Sequence, residues 1–282
     1  MSIIIFSATG CVRCRVVKQF LKERGLTFQD HDALGDGKAA FRSFYQNNRQ
    51  KIYRGPEGVE FPIYCDDEVL RQGLPAVAAH LIGGPALSGF FKPGRLHGQW
   101  LDGIYISGGA SDRGEDLLKV LAYLKQQNFK IRIDTNGMNA DLLASVLDHG
   151  LADRVIMEVK GPLDLYALLL QQPVDTAEIE KSIGLVSKCR DYGFVTAITP
   201  LVRQKGDPAQ ISYITPAEIA QTAELIKKAA GDSRQPYELR YIDPKAADDD
   251  KLRTLEALPQ NALFRYRSEA RKYQFKTEIL KD

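Results

Sequence analysis

Hydrophobic and polar positions along the chain fall into short blocks whose period alternates between about 2 and about 3.6 residues, the signature of strands alternating with helices. Residues 3–6 are β-branched and aromatic and read as a buried first strand. After a polar turn at 7–10, Val16, Val17, Phe20 and Leu21 recur at helical spacing, predicting a helix over 12–24 that Gly25 stops. A strand at 27–31, a helix at 38–47, two short strands at 60–64 and 68–71, and a helix opening at Pro75 and ending before Gly83 follow. Residues 83–99, from Gly83-Gly84-Pro85 to Pro93-Gly94, are rich in turn formers, carry little periodicity and read as a linker. Beyond them the alternation becomes strict. Strands are expected at 103–107, 130–134, 154–159, 194–198 and 237–241, with helices at 115–127, 140–148 and 177–191. The capping box Thr215-Pro216-Ala217-Glu218 opens a further helix to 230. In the tail, a helix at 250–258 and a terminal strand or two, within 263–267 and 273–280, are expected. The mixed basic and aromatic residues Leu263 to Arg267 read as a charge-protected sheet edge and not as a nucleic-acid surface.

The pattern predicts an α/β protein in two parts: residues 1–82, the linker 83–99, and residues 100–282 with about five parallel strands joined by right-handed crossovers. Five strand–helix units are too few for a closed eight-stranded barrel, so the second part is expected to be an open or partial one. The length of 282 residues agrees with two domains.

Lys and Arg number 38 and Asp and Glu 36, a net charge of +2, which argues against a sequence-independent nucleic-acid binder. The N-terminus lacks the basic start and cleavage site of a secretory signal, and no apolar run approaches the ~18 residues of a membrane span. The expectation is a soluble cytoplasmic protein with reduced thiols, binding neither nucleic acid nor membrane. Four cysteines in a chain of this length are no disulfide framework.

Two of them carry the strongest chemical signal. Cys11-Val12-Arg13-Cys14 sits between a strand and a helix, which puts Cys11 at the helix N-terminus. Unpaired N–H groups and the positive dipole end stabilise a thiolate there, and Arg13 and Arg15 add positive charge. Two intervening residues let the second sulfur reach the first, so Cys11 is expected to attack and Cys14 to resolve. A CxxC can instead be half of a zinc site or a pair of inert helix-end cysteines. Cys65 and Cys189 form no second pair and His31, His80, His97 and His149 are scattered, so the redox reading is preferred and no metal site is expected.

With Cys11–Cys14 after the first strand and Val59-Glu60-Phe61-Pro62 ahead of a later one, residues 1–82 resemble a glutaredoxin-like domain of the thioredoxin fold. The resemblance implies that Pro62 is a cis-proline facing the thiol pair, leaving the backbone before it free to pair with a substrate chain. Typical glutaredoxins carry Lys three residues before the first cysteine, where this chain has Ala8, and a dipeptide unlike Val12-Arg13. Where they hold glutathione with Gly-Gly and an acidic residue, this chain reads Gln72-Gly73-Leu74-Pro75. The implied partners are therefore a protein disulfide and a redox donor, either glutathione or a thioredoxin-reductase-type protein. Cys65 reads as a strand-end cysteine and not a third redox thiol.

Residues of about 100–245 resemble the later strands of radical S-adenosylmethionine enzymes, in particular activating enzymes of glycyl-radical systems. The matching stretches are Ile104-Tyr105-Ile106-Ser107-Gly108-Gly109, Ile133-Asp134-Thr135-Asn136-Gly137, Glu158-Val159-Lys160, Thr199-Pro200-Leu201-Val202 and Tyr241-Ile242-Asp243-Pro244. The resemblance implies a small-ligand site for S-adenosylmethionine or a fragment of it at Gly108, Gly109, Asp134, Thr135, Glu158 and Lys160, on the rim where parallel sheets bind ligands. That family holds a [4Fe–4S] cluster with CxxxCxxC, which this sequence lacks, and Ala110 and Ser111 stand where a Glu usually follows the two glycines. No iron–sulfur cluster and no radical cleavage of S-adenosylmethionine are expected. The sequence thus predicts a dithiol–disulfide oxidoreductase whose degenerate barrel docks a partner. The alternative is a non-catalytic adaptor of a radical-enzyme system that retains a small-ligand site.

Overall fold

A computed structural model describes residues 2–56, 58–203, 211–246 and 249–280. The chain forms two compact units: Met1–Ile133 with Asp148–Ala152, and Asp134–Leu147 with Asp153–Asp282.

The first unit begins with β1 (Ile3–Ser7), α1 (Val12–Glu23), β2 (Phe28–Asp32), α2 (Lys38–Asn48), β3 (Arg54–Gly55), β4 (Gly58–Val59), β5 (Ile63–Cys65), β6 (Leu70–Gln72) and α3 (Leu74–Gly83). It continues with β7 (Trp100–Tyr105), α4 (Gly114–Gln126) and β8 (Lys130–Thr135), whose last two residues fall in the second unit. The four-stranded sheet runs β2-β1-β5-β6. β1 and β2 are parallel, while β5 is antiparallel to both β1 and β6. On α1 the buried residues Cys14, Val16, Val17, Phe20 and Leu21 form the expected stripe. Phe6, Ile52 and Ile63 form a core cluster covered by Phe41, Phe44 and Phe61, with Phe6 and Phe44 ring centroids 4.5 Å apart. Residues 83–99 hold a 3-10 turn, Pro85–Phe90, whose Leu87 and Phe90 are fully buried.

The second unit contains α5 (Ala140–Asp148), whose last residue falls in the first unit, β9 (Arg154–Glu158), α6 (Tyr166–Leu170), α7 (Thr176–Val186), β10 (Tyr192–Ile198), β11 (Pro200–Val202), β12 (Ile211–Tyr213), α8 (Pro216–Ala230), β13 (Tyr237–Tyr241), α9 (Gln260–Arg271) and β14 (Thr277–Leu280). β9, β10, β13 and β14 pair in parallel, in the six-strand order β14-β13-β10-β9-β8-β7. A parallel sheet of this size, with helices as its crossovers, is a partial barrel. The capping box on α8 is complete: Thr215 Oγ1 accepts from Glu218 N–H, and the Glu218 carboxylate accepts from Thr215 N–H. Gly231, at φ 75°, closes the same helix in the left-handed region.

Three expectations change. Residues 263–267 lie inside α9 and not in a strand, because Tyr266 and Ala270, four apart, are the positions it buries. The helix expected at 250–258 is only a 3-10 turn, Leu252–Thr254. The helix expected over 177–191 stops at Val186, where the chain tightens into i+3 hydrogen bonds ending with Cys189 N–H to Val186 C=O, so Cys189 lies just past it. Among the described residues no helix is long and apolar enough to cross a membrane.

Candidate functional site

β1 delivers the chain to a tight turn in which Cys11 N–H donates to Ala8 C=O at 3.0 Å and Gly10 takes φ 77°. Cys11 then caps α1 from outside the helix, at φ −69° and ψ 105°, and its sulfur accepts the Cys14 backbone N–H at 3.0 Å. A hydrogen-bond donor and the positive end of a helix on one sulfur favour its anionic form. Cys11 and Cys14 are joined as a disulfide. Cys14 is 1% exposed while Cys11 is partly open to solvent, so Cys11 presents the sulfur an incoming group can reach. The Phe61–Pro62 bond is cis, and Pro62 is buried. Because Phe6 pairs with Ile63 in antiparallel register, Pro62 stands beside the end of β1 from which the cysteine turn departs.

A cavity of about 990 Å³ adjoins Cys11. It is lined by Val12, Gly55, Pro56, Gly58, Val59, Phe61 and residues 94–99. Arg13, one of the two cations expected to support the thiolate, is held by three partners. Its guanidinium pairs with Glu60 at 2.9 Å and donates to the main-chain carbonyls of Leu96 at 2.7 Å and Trp100 at 2.6 Å. Both members of the ion pair are nearly buried, at 12% and 13% exposure. Glu60 Oε2 also accepts Gly94 N–H at 3.1 Å. Burial pushes the Glu60 carboxyl above its usual range against the pull of the Arg13 charge and the Gly94 N–H, with the Asp102 carboxylate adding to the rise. Arg15 is exposed on α1. Sequence reasoning missed Glu60 as a site residue, although it stands two positions before Pro62 in the stretch that signalled the cis-proline. Asp102, which accepts the backbone N–H groups of Arg95 and Leu96, carried no local signal.

The other two thiols are placed differently. Cys65 ends β5, and burial pushes its thiol up, with the Asp66 and Asp67 charges adding to the effect. Burial likewise raises Cys189. The sequence holds no CxxxCxxC run of the kind that carries a [4Fe–4S] cluster. Two cysteines are joined to each other, one closes a strand of the first unit and one follows a helix of the second. Among the described residues no group of three or more His, Cys, Asp or Glu side chains is placed to hold a metal ion.

Of the residues expected on the second part's rim, Gly108 and Gly109 follow β7 in the first unit and the rest belong to the second. The close approach that the two glycines permit is to their own chain. A Cβ on Gly108 would strike the Gly89 carbonyl, and one on Gly109 the Phe90 ring. Asp134 and Thr135 close β8, where the buried Thr135 hydroxyl accepts Gly137 N–H at 3.0 Å. Glu158, at the end of β9, forms an ion pair with Lys160 at 2.6 Å, and Lys160 N–H donates to Tyr166 Oη.

A parallel β1–β2 pair, an antiparallel β5–β6 pair, a CxxC opening α1 and a cis-proline entering β5 make the N-terminal part similar to a glutaredoxin-like domain of the thioredoxin fold, and a parallel partial barrel follows it in the chain. No family model matches the chain. A putative glycyl-radical enzyme activating enzyme of Methanocaldococcus jannaschii is 27% identical over 175 residues, which cover 61% of this chain and 68% of that protein. Among solved structures, the glutaredoxin-like NrdH-redoxin of Escherichia coli is 18% identical with a TM-score of 0.21, over 26% of this chain and 84% of its own. A domain of pyruvate-formate lyase-activating enzyme from Bacteroides vulgatus is 15% identical with a TM-score of 0.43, over 63% of this chain and 98% of its own.

Proposed function

We propose that the chain is a thiol–disulfide oxidoreductase working through Cys11 and Cys14 on a protein disulfide. The observation that carries this reading is the asymmetry of the pair: a reachable Cys11 sulfur at the head of α1, taking the Cys14 N–H, over a buried Cys14. In the reduced protein the Cys11 thiolate attacks one sulfur of the substrate disulfide. The substrate S–S bond breaks, a mixed disulfide forms, and the first substrate thiolate leaves and takes a proton. Cys14, giving up its proton, then attacks the Cys11 sulfur. The Cys11–Cys14 bond forms and the second substrate thiol is released. Two electrons pass to the substrate, and a thiol donor, glutathione or a thioredoxin-reductase-type protein, returns them. The Phe61 backbone beside Pro62, which lines the cavity, is the place for an extended substrate chain to pair.

The test is reduction of insulin disulfides by the full chain with dithiothreitol as donor. Cys11→Ser should fall to the uncatalysed rate, and Cys14→Ser, reduced beforehand and mixed with insulin after dithiothreitol is removed, should hold a mixed disulfide visible by mass spectrometry. Equal rates for wild type and Cys11→Ser would sink the proposal.

The similarity to a putative glycyl-radical enzyme activating enzyme, in a chain whose cysteines do not suit the cluster, favours a second reading: an accessory protein of a radical-enzyme system. On that reading the docked partner is a radical enzyme and thiol turnover is incidental. The same assay separates the two, since an adaptor needs no rate that depends on Cys11.

A further inference from the structure

The wall of the Cys11 cavity formed by residues 94–99 lies outside the stretch that resembles glutaredoxins, yet charged side chains on both sides hold its backbone. Asp102 Oδ1 accepts Arg95 N–H at 2.9 Å and Leu96 N–H at 3.0 Å. Asp102 is 6% exposed, on β7, and is not among the cavity-lining residues. A Cβ on Gly94 would stand 2.7 Å from the same oxygen, so the glycine is what lets the loop come this close. Glu60 accepts Gly94 N–H, while Arg13 donates to the Leu96 and Trp100 carbonyls. Three consecutive N–H groups therefore end on carboxylates, and the carbonyls at both ends of 96–100 end on the arginine between the two cysteines. Charge-assisted hydrogen bonds of this kind are the strong ones, and they fix a loop that has no secondary structure of its own.

We propose that residues 94–99 are a specificity wall for the substrate disulfide, held in place by Asp102 as a positioning residue, and that the wall selects a polypeptide with apolar side chains beside its cystine. This rests on the oxidoreductase reading above. The lining gives the preference its direction. Val12, Val59, Phe61, Leu96 and Phe129 offer apolar surface, the two buried charges, Arg13 and Glu60, pair with each other, and Arg95 and His97 line the cavity from exposed positions. A substrate carboxylate buried here finds the enclosed cation, Arg13, already paired, and at exposed Arg95 it meets only a solvent-screened charge, whereas apolar side chains gain from leaving water.

The experiment uses the full chain and three substrates: two synthetic peptides with one intramolecular disulfide each, flanked by leucine and phenylalanine or by aspartate and glutamate, and 2-hydroxyethyl disulfide. Wild type should favour the apolar peptide over the acidic one about tenfold or more in kcat/KM, the scale expected of a few methylenes in a fitted apolar pocket. Leu96→Ala, which trims the wall without touching its supports, should cut that preference several-fold. Asp102→Ala should lower the ratio of apolar-peptide to 2-hydroxyethyl-disulfide kcat/KM about tenfold, with the loss in KM and not in kcat. Asp102→Asn, which keeps an acceptor oxygen, should restore most of that ratio. A wild-type preference for the acidic peptide overturns the proposal. So does a ratio that stays put in both Leu96→Ala and Asp102→Ala, or a loss shared equally by the peptide and the small disulfide. Wild type inactive on all three substrates would instead defeat the oxidoreductase reading and take the wall with it.

Discussion

Arg13→Met isolates the most heavily connected side chain at the site. Methionine keeps the unbranched stem but removes the guanidinium, and with it a 2.9 Å ion pair to Glu60 and two hydrogen bonds to the Leu96 and Trp100 carbonyls. At an effective dielectric of about 20 the gross attraction across that distance is about 6 kcal/mol, of which most is offset by taking both charges out of water. Removing one partner leaves that desolvation uncompensated on the other. For a pair as enclosed as this one the loss should be about 3–5 kcal/mol. The two orphaned carbonyls would each add about 1.5–3 kcal/mol in isolation. They share one guanidinium and the loop can relax, so the terms do not sum, and the total should stay within the 3–5 kcal/mol range. That is a large part of the 5–15 kcal/mol holding a typical domain. The loss should also depend on pH. The Glu60 carboxyl lies above its ordinary range in the fold, so its contribution is fully present below the unfolded value of 4.5 and fades as pH rises through the folded value. Without Arg13 the folded value climbs further, because the charge that favoured ionisation is gone. The variant should therefore lose more at pH 7, where a carboxylate must be buried unpaired, than at pH 4, where the neutral acid can be. Urea unfolding followed by Trp100 fluorescence measures this directly, because Trp100 is the chain's only tryptophan and its carbonyl is one of the Arg13 acceptors. Adding Glu60→Gln should recover part of the loss at pH 7. A deficit below about 1 kcal/mol at pH 7 would place the pair among ordinary surface ion pairs. A deficit equal at both pH values would refute the assigned role of the Glu60 charge.

Two further outcomes follow from packing and capping. Gly109→Ala keeps an accessible backbone conformation, at φ −105° and ψ 172°, but drives a methyl group into the fully buried Phe90 ring; a loss of about 1–3 kcal/mol is expected, and an unchanged urea midpoint would show that the ring has room to move. Thr215→Ala removes the acceptor for Glu218 N–H at the start of α8 and should cost about 1 kcal/mol, with faster hydrogen exchange at that amide; unchanged exchange there would mean that the Glu218 side chain alone holds the helix start.

What the sequence determined by itself is what neighbouring residues decide. The strand–helix alternation, the α1 stripe of Val16, Val17, Phe20 and Leu21, the Thr215–Glu218 cap and the position of Cys11 at the head of a helix all depend on groups within a turn or two of one another. The cis-proline was legible through the motif around it. Where two local patterns compete, the sequence was ambiguous: the basic and aromatic residues at 263–267 suit a strand edge as well as a helix, and burial of Tyr266 and Ala270 on one face decided for the helix. The tertiary structure alone decided what surrounds the thiols. Arg13 meets partners 47, 83 and 87 positions away, and the glycines at 108 and 109 meet the backbone and ring of residues 89 and 90. Such partners leave no periodic trace, because the charge of a side chain is visible in a sequence but the burial that makes it consequential is a property of the packed chain. That is why Arg13 reads as a free cation beside a thiolate in the sequence and stands in the fold as the strut between the cysteine helix, Glu60 and the 94–99 wall.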